Sequence, residues 1–574
     1  MKKKILVFVV LLAMVLTLGG CREEPTPTPP AEVADDATAD DAADVDDVVE
    51  DDVAEDDGAD DDTAATDDPP ADVITVSVVN WEIEQAFAGE PCAINLYIQE
   101  RFGLAFEPYH VTWDNFREVP YLWAAAGTLP DIIGASDRIT GPVFHEWIEA
   151  GVIRSLPDDL SRWPSLNHWV SQSFAQDLAY DGRIYHIPRG TTLVPGNTSM
   201  GRGLINRRDW REALDIPIPE TEDDIIAMWQ AFMDNDMHGD GTTVFGVYPH
   251  AVSHLFDQTF IGHGNTSGNW VYIDGEMVIP AFEESSLELM SFWRRAFNEG
   301  LVNPDFLTDA DSTSIQQFAL GRAGTLLRLV TPGHLFTVME QWEILQPDVN
   351  FFEAVEILPP PRIEGKDWVV SGGPGHWSET LINARVDDAT LERILDFYDW
   401  AMSDEGIKTM MFGFYGQDFI MEDGEVVMIT DINPETGRPF SAGDLYAFAG
   451  SGMAYLATWA GDAAEWFNPN IPLEIRQMAA EYRDAVIVRP ETRLSSPGIQ
   501  VRALNIPEIV EMNLPSAGDE WIAFIMDTSN TSDEELWQQF RARWEAAGYL
   551  RAKELMTEEV LARGYPREMP YLLP

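Results

Sequence analysis

Residues 73–79 read Val73-Ile74-Thr75-Val76-Ser77-Val78-Val79 and stop at Asn80. The run is β-branched, which suits a pleated strand, and Asn80 is a strand-ending residue. Helix signals follow it. Thr221 with Asp224 marks a helix start, and Ile225, Trp229 and Phe232 or Met233 recur at helical spacing. Thr390 marks another, ahead of Leu391, Ile394, Leu395 and Tyr398. Ser532 and Glu535 form a capping box before Leu536, Phe540 and Trp544. Strands mixed with helices predict α/β layers, and no internal repeat is visible.

Upstream of that strand the chain changes character. Residues 1–21 carry three Lys, an apolar run over 5–18, then Gly19-Gly20-Cys21. This is a basic n-region, a short h-region and a small-residue cleavage site. The run is shorter than the ~20 residues of a membrane span. Leu18-Gly19-Gly20-Cys21 resembles the bacterial lipobox, in which the cysteine becomes the lipidated first residue. Cys21 is therefore the expected lipidation site, and an ordinary signal peptide is the alternative. Cys92 is then the sole remaining thiol, expected to be a small buried residue.

Residues 25–30 are Pro-rich, and residues 31–68 hold nineteen Asp or Glu with no Lys, Arg, Leu, Ile or aromatic residue. Such a segment cannot bury enough apolar surface to offset its ordering entropy. The organisation expected is a signal peptide (1–20), a disordered tether (21–70) and a body (71–574).

The 574 residues carry 36 Lys+Arg against 98 Asp+Glu, a formal net charge of −62. Nucleic acid demands clustered basic residues, and anionic lipid demands basic patches, so the charge disfavours both. Two cysteines exclude a disulfide framework and a four-Cys zinc site. Only three Lys lie beyond the leader, which suggests a saline or alkaline habitat.

Several body segments, in order, resemble the bacterial extracellular solute-binding lipoproteins of ABC importers, family 1, oligosaccharide type. They are Leu129-Pro130-Asp131-Ile132-Ile133, then Trp147-Ile148-Glu149-Ala150-Gly151-Val152-Ile153-Arg154-Ser155-Leu156-Pro157, then Tyr180-Asp181-Gly182-Arg183-Ile184-Tyr185-His186-Ile187-Pro188. Ile205-Asn206-Arg207-Arg208-Asp209-Trp210, Glu299-Gly300-Leu301-Val302-Asn303-Pro304-Asp305-Phe306 and Phe414-Tyr415-Gly416 continue the series. The resemblance covers about residues 73–565. It implies an α/β, two-lobe, periplasmic-binding-protein-like fold with a central ligand cleft and a hinge. Lobe 1 would take residues 73–195 plus 378–470, and lobe 2 residues 196–377 plus 471–574. It also implies a monomer, held to the cell membrane by lipid on the extracellular face of a Gram-positive-like cell, delivering sugar to separate permease subunits.

Sugars offer apolar C–H faces between hydroxyls, which flat aromatic rings cover while polar groups take the hydroxyls. Candidate ligand residues are Trp81 and Glu82 after the first strand, Arg189 and Thr191 after the Tyr185–Pro188 stretch, Trp270, Trp377 and Tyr415. Core packing is the competing reading for each aromatic. Arg189 in a cleft would pair with a uronate or sulfate. Asp236, His238 and Asp240 stand like the first ligands of a calcium loop, with His238 in place of the expected Asn or Asp. An Asp/Gly-rich turn is the alternative, so no cofactor is assigned beyond calcium at this loop.

Enzyme motifs are weak. Residues 262–268 miss both G-x-S-x-G and G-x-G-x-x-G. His250 and His254 share a helical spacing without the Glu that a zincin needs between them. The expectation is therefore a receptor and not an enzyme. A peptide receptor and a surface polysaccharide-degrading enzyme are the alternatives.

Overall fold

The structure, a computed structural model, describes residues 72–564. Gaps fall at 135–141, 191–201, 251–262 around Leu255, 264–267, 364–367, 372–375, 447–452, 459–467, 487–491 and 496–505, with single residues or pairs elsewhere. The leader and tether, with Cys21, lie outside the described residues. Asp68–Pro574 form one compact unit, which carries the fold.

The strands among these residues are β1 (Ile74–Val79), β2 (Leu104–Tyr109), β3 (Ile132–Ile133), β4 (Ile187–Gly190), β5 (Arg202–Arg207), β6 (Phe245–Pro249), β7 (Val271–Ile273), β8 (Glu276–Val278), β9 (Ala323–Leu329), β10 (Val355–Leu358), β11 (Trp368–Ser371), β12 (His376–Ile382), β13 (Phe419–Glu422), β14 (Glu425–Met428) and β15 (Thr492–Ser495). The helices used below are α1 (Ala93–Phe102), α2 (Glu222–Asp234), α3 (Leu287–Asn298), α4 (Asp311–Ala319), α5 (Pro332–Leu345), α6 (Asp388–Ala401), α7 (Ala517–Ile525) and α8 (Asp533–Ala546).

Two sheets carry the fold. The first has the order β2-β1-β3-β12-β4. β1 pairs parallel with β2 and β3, with α1 as the crossover between β1 and β2. β12 pairs antiparallel with both β3 and β4. The second sheet has the order β10-β5-β9-β6, with β6 and β9 parallel and the other pairs antiparallel.

Each sheet has its own core. Val76, Val78, Ile132, Leu395 and Tyr398 belong to one cluster on the first sheet. On the second sheet, alternation sends successive residues to opposite faces. Leu204 and Leu327 join Trp229, Trp293, Trp521 and Trp544. Their neighbours Ile205 and Leu326 join Phe318, Trp342 and Tyr482. Six of the tryptophans, Trp229, Trp293, Trp342, Trp521, Trp537 and Trp544, are fully buried, so core packing accounts for them.

Helix starts follow local chemistry. Thr221 accepts from the Asp224 amide while the Asp224 carboxylate accepts from the Thr221 amide at 3.0 Å, which begins α2 as the sequence predicts. Ser532 caps α8 by accepting from the Glu535 amide at 3.2 Å. The start expected at Thr390 lies earlier: Asp387 caps α6, its carboxylate accepting from the Thr390 amide at 2.7 Å. A carboxylate at a helix N-terminus also meets the positive end of the dipole, so Asp387 outcompetes Thr390. Cys92 is half-buried at the start of α1, its thiol donating to Asn95 Oδ1 at 3.0 Å.

One arginine binds the C-terminal helices to the second core. Buried Arg294 on α3 donates to the Asp527, Thr531 and Ser529 carbonyls at 2.9–3.0 Å, and to the Asp527 and Asp533 carboxylates at 2.7 and 2.5 Å. These acceptors line the turn between α7 and α8. Arg294→Met should lower stability by about 2–3 kcal/mol in urea unfolding, because charged hydrogen bonds to a buried group are lost. Its neighbour Arg295, half exposed on Asp223 and Glu299, should lose less than about 1 kcal/mol on the same change. Equal effects would contradict this reading.

Candidate functional site at the strand ends

Open α/β sheets bind ligands beyond the carboxyl ends of their parallel strands. On the first sheet β1 and β3 end at Val79 and Ile133. β4 lies two antiparallel steps from β3 and so runs with it, ending at Gly190 opposite His376. Asn80, Gly134, Gly190 and His376 therefore share one edge.

Arg189 organises that edge. It is fully buried, with Nη1 donating to Asn80 Oδ1 at 2.9 Å and Nη2 donating to the Gly134 carbonyl at 2.5 Å. Nη1 also reaches the Tyr455 carbonyl at 3.4 Å, and the guanidinium stands 4.6 Å over the Trp81 ring. Thr458 Oγ1 donates to the Gly190 carbonyl at 3.0 Å, and Thr380 Oγ1 to the Leu456 carbonyl at 3.2 Å. The segment around 455–458 is thus tied to the end of β4 and to β12. Two glycines are sterically required there. A Cβ at Gly190 would lie 2.1 Å from the Trp169 ring, and one at Gly134 would lie 2.9 Å from the Val79 carbonyl.

Behind this edge lie His186, His376 and Glu379, all buried. His376 Nε2 is 3.2 Å from Glu379 Oε1. Between them Ser378 has φ 68°, where the β12–β4 register shifts. His186 has no hydrogen-bond partner at either ring nitrogen among the described residues. Burial pushes it down to about 4, although Glu379 pulls the other way.

The second sheet presents a matching edge. β6 and β9, parallel, end at Pro249 and Leu329, and antiparallel β5 begins there, Arg202 opposite Leu329. Arg328 Nη1 lies 2.8 and 3.0 Å from the two ring nitrogens of His250. His250 Nδ1 is also 2.9 Å from Ser314 Oγ on α4. His334, in the first turn of α5, has Nδ1 2.8 Å from Thr331 Oγ1. Burial, and after it the guanidinium of Arg328, push both imidazoles down to about 3. Residues 191–201 lead from the first edge at Gly190 to the second at Arg202.

Of the residues expected at the site, the structure brings Trp81 and Arg189 together. It does not bring Trp270 or Tyr415 to them. Trp270 is half-buried with its ring 5.8 Å from Tyr549, and Tyr415 is exposed with its ring 5.7 Å from Phe419. Glu82, Thr191 and Asp240 lie outside the described residues, as does the Trp377 side chain. Asp236 Oδ2 accepts from the Gly241 amide at 3.0 Å, and exposed His238 stands 6.4 Å from the Trp210 ring. Among the described residues no group of three His, Cys, Asp or Glu is placed to hold a metal. Sequence reading misses Asn80, Arg202, Arg328 and His334. A charged residue inside the apolar run of β9 is the available signal for Arg328.

The buried histidine has a pH consequence. Its folded pKa, about 4, lies below the ordinary value near 6.5, so between those values the unfolded chain takes up a proton that the folded chain refuses. Stability therefore falls as pH drops through that window, by up to about 1.4 kcal/mol per unit for this group. His186→Asn should flatten the acid limb of a melting-temperature profile between pH 6.5 and 4, and an unchanged slope would contradict the assignment.

No family model matches the chain. It is 22% identical over 296 residues to the polygalacturonan/rhamnogalacturonan-binding protein YtcQ of Bacillus subtilis, covering 51% of this chain and 56% of that one. It is 22% identical over 327 residues to lipoprotein LipO of the same organism, covering 55% and 62%. It is 28% identical over 218 residues to the fructooligosaccharide ABC transporter substrate-binding protein FusA of Streptococcus pneumoniae, covering 34% and 39%. Each match thus spans less than two thirds of the relative's length. Among solved structures, alginate-binding protein AlgQ2 without calcium ion superposes with a TM-score of 0.64 at 16% identity, covering 85% of this chain and 98% of that one. The chain is homologous to carbohydrate-binding substrate-binding proteins and has the two-lobe α/β fold of the solute-binding proteins.

Proposed function

We propose that this chain is a monomeric, lipid-anchored extracellular receptor that captures an oligosaccharide between two lobes and delivers it to an ABC permease. The observation that carries this reading is the pair of sheets with separate cores, whose strand-end edges are linked by residues 191–201. Two separately cored sheets suit hinge closure, in which ligand stabilises the shut state. The core clusters support lobes of 73–195 plus 378–470 and 196–377 plus 471–574. One cluster draws on Val76 to Ile187 and Ile382 to Ala457, another on Leu204 to Leu358 and Ala517 to Tyr549.

In this reading Glu82, Thr191 and Trp377 form the lobe 1 side of the cleft, while Trp81, buried against Phe116 and the Arg189 guanidinium rather than facing a ligand, helps Arg189 fix the strand ends beneath them. Trp270 and Tyr415 contribute only if closure or a long ligand reaches them. The names of YtcQ and FusA support sugar as the ligand class, and that of LipO supports lipidation at Cys21. No helix among the described residues is long and apolar enough to cross a membrane. YtcQ and FusA are named as binding proteins, which supports capture without turnover.

Calcium has little support from the residues of the 236–241 loop. Asp236 holds the loop's own Gly241 amide, His238 replaces an oxygen ligand, and Val247, where a calcium loop of this kind needs its bidentate Glu, is buried in β6. We read the loop as a turn. Added calcium or chelator should leave the melting temperature unchanged, and a clear rise with calcium would reinstate the cation.

The function is tested by calorimetric titration of residues 71–574 with neutral and acidic oligosaccharides, followed by analysis of the recovered sugar. Saturable one-to-one binding with intact sugar is expected. Cleaved sugar would replace the receptor with a polysaccharide-degrading enzyme. Binding confined to peptides would replace the ligand class.

A further inference from the structure

We infer that Arg438 is a closure latch: carried on the first core, it grips Glu343 and Phe336 on α5 of the second sheet and holds the two together. The inference rests on the two-lobe receptor reading and names a residue that sets its closure.

Arg438 is fixed to the first core. The chain folds back over residues 429–441, with the Phe440 amide donating to the Asp431 carbonyl at 2.9 Å and the Asn433 amide to the Arg438 carbonyl at 2.7 Å. Thr430 Oγ1 donates to the Phe440 carbonyl at 2.7 Å. Both ends of this turn are anchored. The Ile429 amide donates to the carbonyl of buried Asp418 at 2.9 Å, and the Tyr446 hydroxyl donates to the Asp418 carboxylate at 2.8 Å. Ala442 and Tyr446 belong to the core cluster of the first sheet.

α5 is fixed to the second sheet. Its Leu335, Val338, Met339 and Trp342 pack with Ile205 and Leu326. At 3.6 residues per turn, Phe336, Glu340 and Glu343 form a separate stripe of the same helix. Arg438 meets that stripe. Its Nη2 donates to both Glu343 oxygens at 3.3 Å, and its guanidinium stands 5.3 Å over the Phe336 ring. Glu340, between these two, is attracted by Arg438 and repelled by Glu343 and by Asp444. One cation therefore stands among carboxylates from both sides, Glu340 and Glu343 on α5 and Asp444 beyond the turn.

The side chains of Arg438 and Glu343 are 28% and 54% exposed, so the pair adds little to folding. Its effect on a balanced opening equilibrium is larger in proportion, about three- to tenfold for an exposed ion pair with a cation–π contact. The chain carries 98 acidic against 36 basic residues, and two parts of so acidic a chain repel as they approach. A cation at the junction relieves that repulsion only while the two parts stay together.

The ligand-free protein is read first. Small-angle scattering of residues 71–574 should give a larger radius of gyration for Arg438→Glu and for Glu343→Arg. The variant that carries both changes should return to the parent value, because the swap restores opposite charges. Should a single variant fold poorly, Arg438→Gln removes the charge alone and should expand the protein less. Affinity for oligogalacturonates and fructo-oligosaccharides should fall about three- to tenfold in each single variant and recover in the double. Single variants with parent dimensions and parent affinity overturn the latch. So does a double variant that recovers neither, since the residues then act through local packing. Expansion and recovery in a protein silent toward every sugar keep the latch and overturn the receptor.

Discussion

The first lobe depends on a buried cation. Arg189 carries a full charge at a position with no solvent exposure, a state that is costly unless every donor meets an acceptor. Its acceptors are Asn80, Gly134 and Tyr455, one beyond β1, one beyond β3 and one in a segment far along the chain. The Trp81 face beneath it adds a cation–π contact worth more when desolvated. Removing the guanidinium would leave these ends without a common partner, and the loops that start from them would lose their fixed origin. Gly134 and Gly190, which leave no room for a side chain, show how closely the chain closes around this centre.

Arginine does this work throughout the molecule. Arg207, Arg211, Arg294 and Arg328 are also buried. Arg211 meets both oxygens of Glu356 at 2.7 and 3.0 Å, tying α-helical residues before Leu214 to β10. A planar group with five donors can join several segments at once, which a lysine ammonium cannot do with the same geometry. Basic residues are few, and these arginines are concentrated inside, where one of them replaces several neutral bonds. The acidic majority is left to solvent, where like charges cost least.

Legibility in the sequence divides along the same line. The β1 run and the Thr221–Asp224 box are local, so Val73–Val79 and the start of α2 can be read from neighbouring residues alone. Asp387 shows the limit of such reading, since a better cap three residues upstream wins over Thr390. Arg189 is visible as a candidate but its role is not, because its partners sit at positions 80, 134 and 455. The edge of the second sheet is invisible for the same reason: Arg202, His250, Arg328 and His334 share no spacing, and only the parallel pairing of β6 with β9 brings their strand ends level. In the sequence His250 stands out solely as half of a zinc pair with His254, a motif with no Glu to complete it.

The order of β12 in the first sheet sets a timetable for the nascent chain. β12 sits between β3 and β4, yet it follows every strand of the second sheet in the sequence. A chain threaded N-terminus first, from a ribosome or across a membrane, therefore exposes β1 to β4 long before their central partner exists. All four strands of the second sheet lie between Arg202 and Leu358, so that sheet can pair fully while the first is still incomplete. Pairings this distant close slowly, since loop entropy is lost before contacts form. The sheet begun first is completed last, and its open strand edges are the surfaces that a chaperone or a neighbouring copy would meet during synthesis.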